Sequence, residues 1–196
     1  KIDGRFVDIF PFPNPKDPYR PLGRIPNIFE NDFLKVDIQP NGTVDVTDKE
    51  SGKLTRGLNL LLDTGDAGDM WIHRKPKINK IISNLGANAD IQLTRNSGLL
   101  STFRVEVVLN IPESLTQDRL ARSKHTVPVK FTTDITLRKD SRRLEFKMSY
   151  NNVCKDHMLT VRFPAGIHTE TLVSDVAFEV RERPVEHITD DNGERG

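Results

Sequence analysis

Cysteine is nearly absent from the sequence, since its 196 residues contain only Cys154. A single thiol excludes an internal disulfide and fits a reducing compartment, so we expect a cytoplasmic protein with a small buried or half-buried side chain at this position. Charge of one sign is lacking too, because 29 basic residues face 28 acidic ones for a net charge of +1. This balance gives no electrostatic basis for binding nucleic acid or an anionic membrane.

Long apolar runs are lacking as well. No apolar run approaches the roughly 18 residues of a membrane helix, and we expect neither a membrane span nor a secretory signal.

Helical periodicity is also lacking, because no segment shows three turns of a convincing amphipathic helix. Apolar and polar residues alternate instead, most clearly over 100–111 and 127–137. Turn sequences such as Asn41-Gly42 separate these runs and are typical of β-hairpins. Long strands at hairpin spacing predict an all-β protein, a single antiparallel β-sandwich. Further strands are predicted at 33–38, 44–47, 78–83, 89–94, 144–148, 156–163 and 171–180.

Proline is concentrated near the amino terminus, where six of the twelve prolines lie within residues 1–28. Because proline disfavours helices and central strands, we expect an extended Pro-rich arm there, along a sheet edge or a neighbouring domain. Residues 29–188 are then predicted to form the sandwich, and residues 189–196 a polar tail. The first residue is lysine, so we expect the chain to be a piece of a longer protein.

Residues 63–76 gather three aspartates, two glycines, the only tryptophan and one of the five histidines. They follow the apolar run 58–62, so we expect the chain to leave a buried strand and enter a loop here. An exposed Trp71 beside carboxylates would suit a sugar, because the ring covers an apolar pyranose face while the acids bind hydroxyls. The alternative is an acidic turn followed by a strand that buries Trp71. The residues alone leave both interpretations open.

Motifs of a self-contained active site are lacking. The histidines are dispersed without zinc-site spacing, and the three aspartates of 63–76 do not fall on the alternate positions that a calcium loop needs. No nucleophile elbow and no glycine-rich phosphate loop occurs. Spacing disfavours Cys154 and His157 as a catalytic pair, and we interpret Asp156-His157 as a structural turn. We therefore expect a β-sandwich without a self-contained active site, and no metal in the loop at 63–76.

Six sequence strings resemble the glycoside hydrolase family 38 α-mannosidases in order and spacing, and together they cover about residues 29–186. The part of the family that they resemble is the first large β-sandwich, whose fold is similar to galactose mutarotase, and not the catalytic domain. The strings are ENDFLKV (30–36), PNGTVDVTDKESGK (40–53), NLLLDTGDAGD (59–69), SRRLEF (141–146), DHMLTVRFPAG (156–166) and FEVRERPV (178–185).

The resemblance implies that the whole protein is a retaining α-mannosidase, which hydrolyses terminal α-mannosides through a covalent intermediate. It places zinc, the nucleophile and the acid/base carboxylate in upstream domains, so the partners of this chain would be an N-terminal catalytic domain and a helical domain of the same polypeptide. No cofactor is then expected in the chain itself, and zinc is expected in the catalytic domain.

In the family, a loop at the position of residues 68–73 approaches the sugar pocket. The resemblance therefore makes Asp69, Trp71 and His73 candidate substrate-binding residues. Many bacterial members carry tyrosines where Trp71 and His73 stand. This departure matters because tryptophan offers only an N–H donor, together with a larger stacking face.

Two interpretations from other classes remain open. An independent carbohydrate-binding sandwich would bind mannose or mannan without any further domain. A mutarotase-type epimerase is suggested by fold analogy alone, and it would need a histidine and a carboxylate that face one sugar.

Overall fold

The computed structural model of the chain describes residues 23–24 and 27–185. Within these ranges the regular structure is almost entirely β, with fourteen strands and one 3₁₀ turn at Asn84–Gly86. No helix of the described part is long and apolar enough to cross a membrane. The strands are β1 Gly23–Arg24, β2 Ile28–Glu30, β3 Leu34–Ile38, β4 Val44–Asp48, β5 Leu54–Leu58, β6 Leu60–Gly65, β7 Ile82–Ser83, β8 Asp90–Asn96, β9 Leu100–Pro112, β10 Thr126–Arg138, β11 Leu144–Tyr150, β12 His157–Arg162, β13 Thr171–Val176 and β14 Glu179–Pro184.

All pairings between these strands are antiparallel, as predicted for the sandwich. One sheet has the order β1-β2-β3-β4-β5 and a second has the order β11-β10-β9-β8. A three-stranded sheet, β12-β6-β7, and the separate hairpin β13-β14 complete the described fold. The all-β fold class predicted from the alternating pattern is confirmed.

The core is formed by the three larger sheets and is built by alternation along their strands. On β9 the side chains of Phe103 and Val105 are 1% exposed, and on β10 Phe131 and Ile135 are equally well buried. Phe29 of β2 meets Phe103 across the core, with ring centroids 5.0 Å apart. Because each strand turns every second side chain inward, two 13-residue strands supply a large part of one apolar cluster.

The hairpin between β3 and β4 confirms the turn predicted at Asn41-Gly42. Gly42 adopts a φ of +82°, which a residue with a side chain rarely reaches. A Cβ there would lie 3.0 Å from side-chain carbons of both Val105 and Val107. The glycine therefore serves the turn and also lets the hairpin lie against the core.

The structure departs from several of the predicted elements. Residues 171–180 form no single strand but most of the hairpin β13-β14, in which Phe178 turns the chain with a φ of +70°. Only Ile82–Ser83 of the strand predicted at 78–83 is regular, and Ile78 contributes an isolated bridge. The boundary predicted after residue 28 falls inside β2, because Gly23–Arg24 already pairs with that strand. The rest of the predicted arm and the tail at 189–196 lie outside the described residues.

Candidate functional site

The candidate loop begins later than the sequence pattern predicts. Strand β6 continues to Gly65, so Asp63 is a strand residue and not part of the loop. Its side chain lies on the buried face together with that of Leu61, two residues earlier. The loop proper spans residues 66–74 and is called the tip loop below.

Backbone and carboxylate hydrogen bonds close the base of the tip loop. The N–H groups of Gly68 and Arg74 donate to Asp66 Oδ1 over 2.9 and 3.1 Å. The Ala67 N–H donates to the carbonyl of Arg74 over 2.6 Å. Since one carboxylate binds both sides of the loop, hydrogen bonds within the chain define the shape of the loop.

A second carboxylate shapes the outer end of the tip loop. Asp69 Oδ1 accepts the N–H groups of Trp71 and Ile72 over 2.8 and 2.9 Å, which makes a tight turn. This turn directs two apolar side chains into solvent, with Met70 86% and Trp71 84% exposed. The alternative in which a strand buries Trp71 is therefore wrong, and the loop interpretation is confirmed.

His73 lies inside the tip loop and not at its surface. Its side chain is 13% exposed, and Nδ1 is 3.3 Å from Asp66 Oδ1. The geometry does not make this approach a hydrogen bond, and within the described residues neither ring nitrogen has one. The structure thus brings Asp69 and Trp71 together at the outer end and places His73 at the inner side.

The tip loop is also tied to neighbouring segments. The Asp66 N–H donates to the carbonyl of Asp156 over 2.9 Å. Arg119 links the same two segments, because Nη1 donates to Asp156 Oδ1 and Nη2 donates to the carbonyl of Gly68, each over 3.2 Å. Asp156 has a φ of +51°, so it occupies a turn, as predicted, whereas His157 begins β12.

A buried charged cluster lies directly before the tip loop. The Asp63 side chain is 0%, Arg122 2% and His157 6% exposed. Asp63 Oδ1 accepts from Arg122 Nη2, and Oδ2 lies 2.5 Å from His157 Nδ1. Arg122 Nη1 also donates to the backbone carbonyls of Asp63 and Lys80, over 3.2 and 2.9 Å. This cluster was not predicted from the sequence.

The alternation of buried and half-buried residues along β6 could have shown that Asp63 is buried. Asp63 follows Leu61 at the two-residue spacing that assigns both to one buried face, and a buried carboxylate requires partners. The identity of those partners could not be read, because Arg122 and His157 are 59 and 94 positions away.

The described residues do not fit a metal centre. Both oxygens of Asp63 are engaged by cationic or ring N–H groups, and no group of three or more His, Cys, Asp or Glu side chains in the ranges 23–24 and 27–185 could hold an ion.

Cys154 is 8% exposed, as predicted, and burial raises the pKa of its thiol, with the Asp63 charge adding to the effect. A raised thiol pKa does not suit a nucleophile.

Acidification is expected to open the tip loop. The N–H groups of Trp71 and Ile72 hold the pKa of Asp69 below its ordinary value of 3.8. Burial opposes ionisation of Asp66, yet the N–H groups of Gly68 and Arg74 lower its pKa as well. A depressed folded-state pKa means that this stabilisation is fully present above pH 3.8 and is lost as the pH falls through the folded-state values below it.

Fluorescence of Trp71, the only tryptophan of the chain, can follow this opening. Asp69→Asn is the matched variant, because its amide oxygen still accepts both N–H groups but does not titrate in this range. We expect the variant to show a smaller spectral change between neutral and acidic pH than the wild-type chain. Identical acid profiles for the two proteins would contradict this assignment.

Comparison with known proteins gives three relevant similarities. Residues 29–195 match the family model described as "Glycosyl hydrolases family 38 C-terminal domain". The "Putative mannosylglycerate hydrolase" of Halalkalibacterium halodurans is 26% identical over 172 residues, which are 81% of this chain and 19% of that protein. A solved α-mannosidase from Enterococcus faecalis V583 is 30% identical with a TM-score of 0.80 over 88% of this chain and 21% of its own.

A second solved structure, a glycosyl hydrolase family 38 protein from Enterococcus faecalis, is 31% identical with a TM-score of 0.79. It matches 84% of this chain and 22% of its own length. The chain therefore spans about a fifth of the length of each of these relatives.

Proposed function

The chain belongs to the glycosyl hydrolase family 38 C-terminal domains, and from this membership we propose that it is a non-catalytic β-sandwich domain of a retaining α-mannosidase. The whole protein would hydrolyse terminal α-mannosides, and this domain would support the active site and the contacts between domains. One similar solved structure is that of an α-mannosidase, and another is that of a protein in the same glycosyl hydrolase family. The relatives are about five times longer than the matched region, which supports further domains in the same polypeptide.

The observation that carries this role is the exposed aromatic end of a preformed loop. Trp71 is 84% exposed, although Asp66, Asp69 and Arg119 hold the backbone around it in place. A rigid, exposed indole can stack on the apolar face of a sugar with little loss of conformational entropy. We propose that Trp71 contacts the mannoside in a pocket whose other walls belong to the catalytic domain.

The two other candidate residues take different parts in this proposal. Asp69 uses Oδ1 for the turn, so its second oxygen is the one that would accept a sugar hydroxyl. His73 has ring nitrogens that are shielded from solvent, and direct contact with a sugar would require the loop to open. We therefore assign His73 to the support of the tip loop and sugar contact to Trp71 and Asp69.

Catalysis itself is assigned to further domains of the same polypeptide. By the family resemblance, zinc, the nucleophile and the acid/base carboxylate would be held by the N-terminal catalytic domain. That domain and the helical domain are the proposed partners of this chain. The single free thiol supports a cytoplasmic location in the same proposal.

Replacing Trp71 in the whole enzyme tests the sugar contact. Trp71→Ala is expected to lower kcat/KM for an aryl α-mannoside about tenfold, because one stacking face is lost. Trp71→Phe should retain most of the activity, since it keeps an aromatic face. Met70→Ala is the matched control, because Met70 is the neighbouring residue and is 86% exposed. Unchanged kinetic constants for Trp71→Ala would contradict the proposed contact between Trp71 and the mannoside.

An independent carbohydrate-binding module is the second candidate, and the exposure of Trp71 also favours it. It predicts that the isolated chain responds to millimolar mannose with a change in Trp71 fluorescence, and a silent titration would count against it. The epimerase interpretation stays a prediction from fold analogy. The buried pair of Asp63 and His157 does not serve it, because neither group is open to a sugar.

A further inference from the structure

We propose that His157 is a cationic positioning residue, which clamps Asp63 together with Arg122 and thereby sets the position of the tip loop. The effect on catalysis rests on the proposed function of the domain, whereas the effect on the loop does not. Nothing in the similarity to known proteins assigns a role to this cluster.

The protonation of His157 follows from its two neighbours. Nδ1 lies 2.5 Å from Asp63 Oδ2, and Nε2 lies 3.0 Å from Asn152 Oδ1. The Asn152 amide is oriented by Cys154, whose N–H donates to the same oxygen over 3.2 Å. A flipped amide would direct its NH₂ group at that N–H donor. Both neighbours of the ring are therefore acceptors, so both ring nitrogens must donate, which only the imidazolium form can do.

This assignment places Asp63 between two cations. Its carboxylate oxygens accept from Arg122 on one side and His157 on the other, and all three side chains are at most 6% exposed. A buried carboxylate with two charge-assisted partners is held much more firmly than one at the surface. Other titratable or charged residues that contact or adjoin the cluster are Asp66, Lys80, Glu113, Arg119, Cys154, Lys155 and Asp156.

The tip loop rests on this cluster at both of its ends. At its start, Asp66 donates its N–H to Asp156, the residue next to His157. Two residues after its end, Pro76 packs on Gly65, where an added Cβ would lie 2.8 Å from Pro76 Cγ and 3.0 Å from Arg122 Cγ. A shift of His157 or Arg122 would therefore move the strand end or the turn that holds the loop.

Loss of the Nε2 proton from His157 would break this arrangement. With Nδ1 still donating to Asp63, the lone pair of Nε2 would face Asn152 Oδ1, and two acceptors repel each other. The amide could flip only by giving up its bond from the Cys154 N–H. We therefore expect the turn at 152–156 to rearrange and to weaken the bond that Asp156 accepts from Asp66.

Fluorescence anisotropy of Trp71 in the 196-residue chain, measured as a function of pH, tests this inference. Trp71 is already 84% exposed, so the readout is the mobility of the indole, and we expect the anisotropy to fall in one step when the turn at 152–156 rearranges and releases the tip loop. His157→Gln should abolish the step and show the low anisotropy throughout. His125→Gln is the matched control and should keep the wild-type profile, because its pair with Glu113 at 3.0 Å is exposed, 72% and 56% for the two side chains.

Asn152→Asp is a second test variant, which can be used if His157→Gln does not fold. An aspartate can accept from the same two donors and adds a negative charge beside the imidazolium, so the step should move to higher pH. A wild-type chain without a step, a step that survives His157→Gln, or a step that Asn152→Asp moves to lower pH would overturn the inference.

Kinetics of the whole enzyme separate this inference from the proposed function. If the domain supports an α-mannosidase site, kcat/KM of His157→Gln falls and loses a pH dependence that His125→Gln retains. A fluorescence step in a protein without mannosidase activity would contradict the proposed function and leave the positioning role intact.

Discussion

Arg122→Leu is expected to lower the free energy of unfolding by about 3–5 kcal/mol, because it leaves a buried carboxylate without its main partner. The Asp63 side chain is 0% exposed and cannot turn to solvent. The guanidinium also donates to the carbonyls of Asp63 and Lys80. Leucine fills part of the volume but satisfies none of these acceptors.

Urea unfolding of the wild-type chain and the variant measures this loss. Arg104→Leu is the matched control, because Arg104 also makes a two-pronged ion pair with an aspartate, at 2.8 and 3.0 Å from Asp134. That pair is 44% and 30% exposed, so we expect a much smaller change when it is removed. If Arg122→Leu and Arg104→Leu lowered the free energy of unfolding equally, burial of the Arg122–Asp63 pair would add nothing to its effect on stability.

Gly68→Ala is expected to lower kcat/KM of the whole enzyme about 100-fold, since small displacements of a positioning loop have effects of this size. A Cβ at Gly68 would lie 1.7 Å from the carbonyl oxygen of Ile72 and 2.9 Å from the backbone nitrogen of Arg74. Both contacts are with backbone, so no side chain can move aside. The tip loop must open, and the two proposed sugar contacts, Trp71 and Asp69, then leave their positions together.

Gly86→Ala is the control for this substitution, because a Cβ at Gly86 meets nothing within 4 Å. Far-ultraviolet circular dichroism of both variants should match that of the wild-type protein, since the clash is confined to one loop. Wild-type kinetics for Gly68→Ala with an intact fold would show that the shape of the tip loop does not matter for catalysis.

Most of the fold could be predicted because a half-buried strand reveals itself by alternation. The spacing of Phe103, Val105 and Val107 is sufficient to place β9 in the core. The hairpin β13-β14 was missed for a physical reason as well. Its turn uses Phe178 at a φ of +70° and contains no glycine or asparagine, so no turn signal interrupts the pattern.

The candidate site could be predicted only where it is local in sequence. Residues 63–76 drew attention by composition, and the exposure of Trp71 follows from bonds to Asp69, two positions earlier. The cluster of Asp63, Arg122 and His157 is assembled by strand pairing and loop packing across long separations. One sequence does not reveal which of many charged residues meet in this way.

Hydrolysis of an aryl α-mannoside by the whole protein, followed by proton nuclear magnetic resonance, tests whether this chain is the supporting domain of a retaining α-mannosidase. We expect the whole protein to release α-mannose as the first product and the 196-residue chain alone to show no hydrolysis. Release of β-mannose would contradict the retaining mechanism. An inactive whole protein, or hydrolysis by the isolated chain, would contradict the assignment of this chain as the supporting domain of an α-mannosidase.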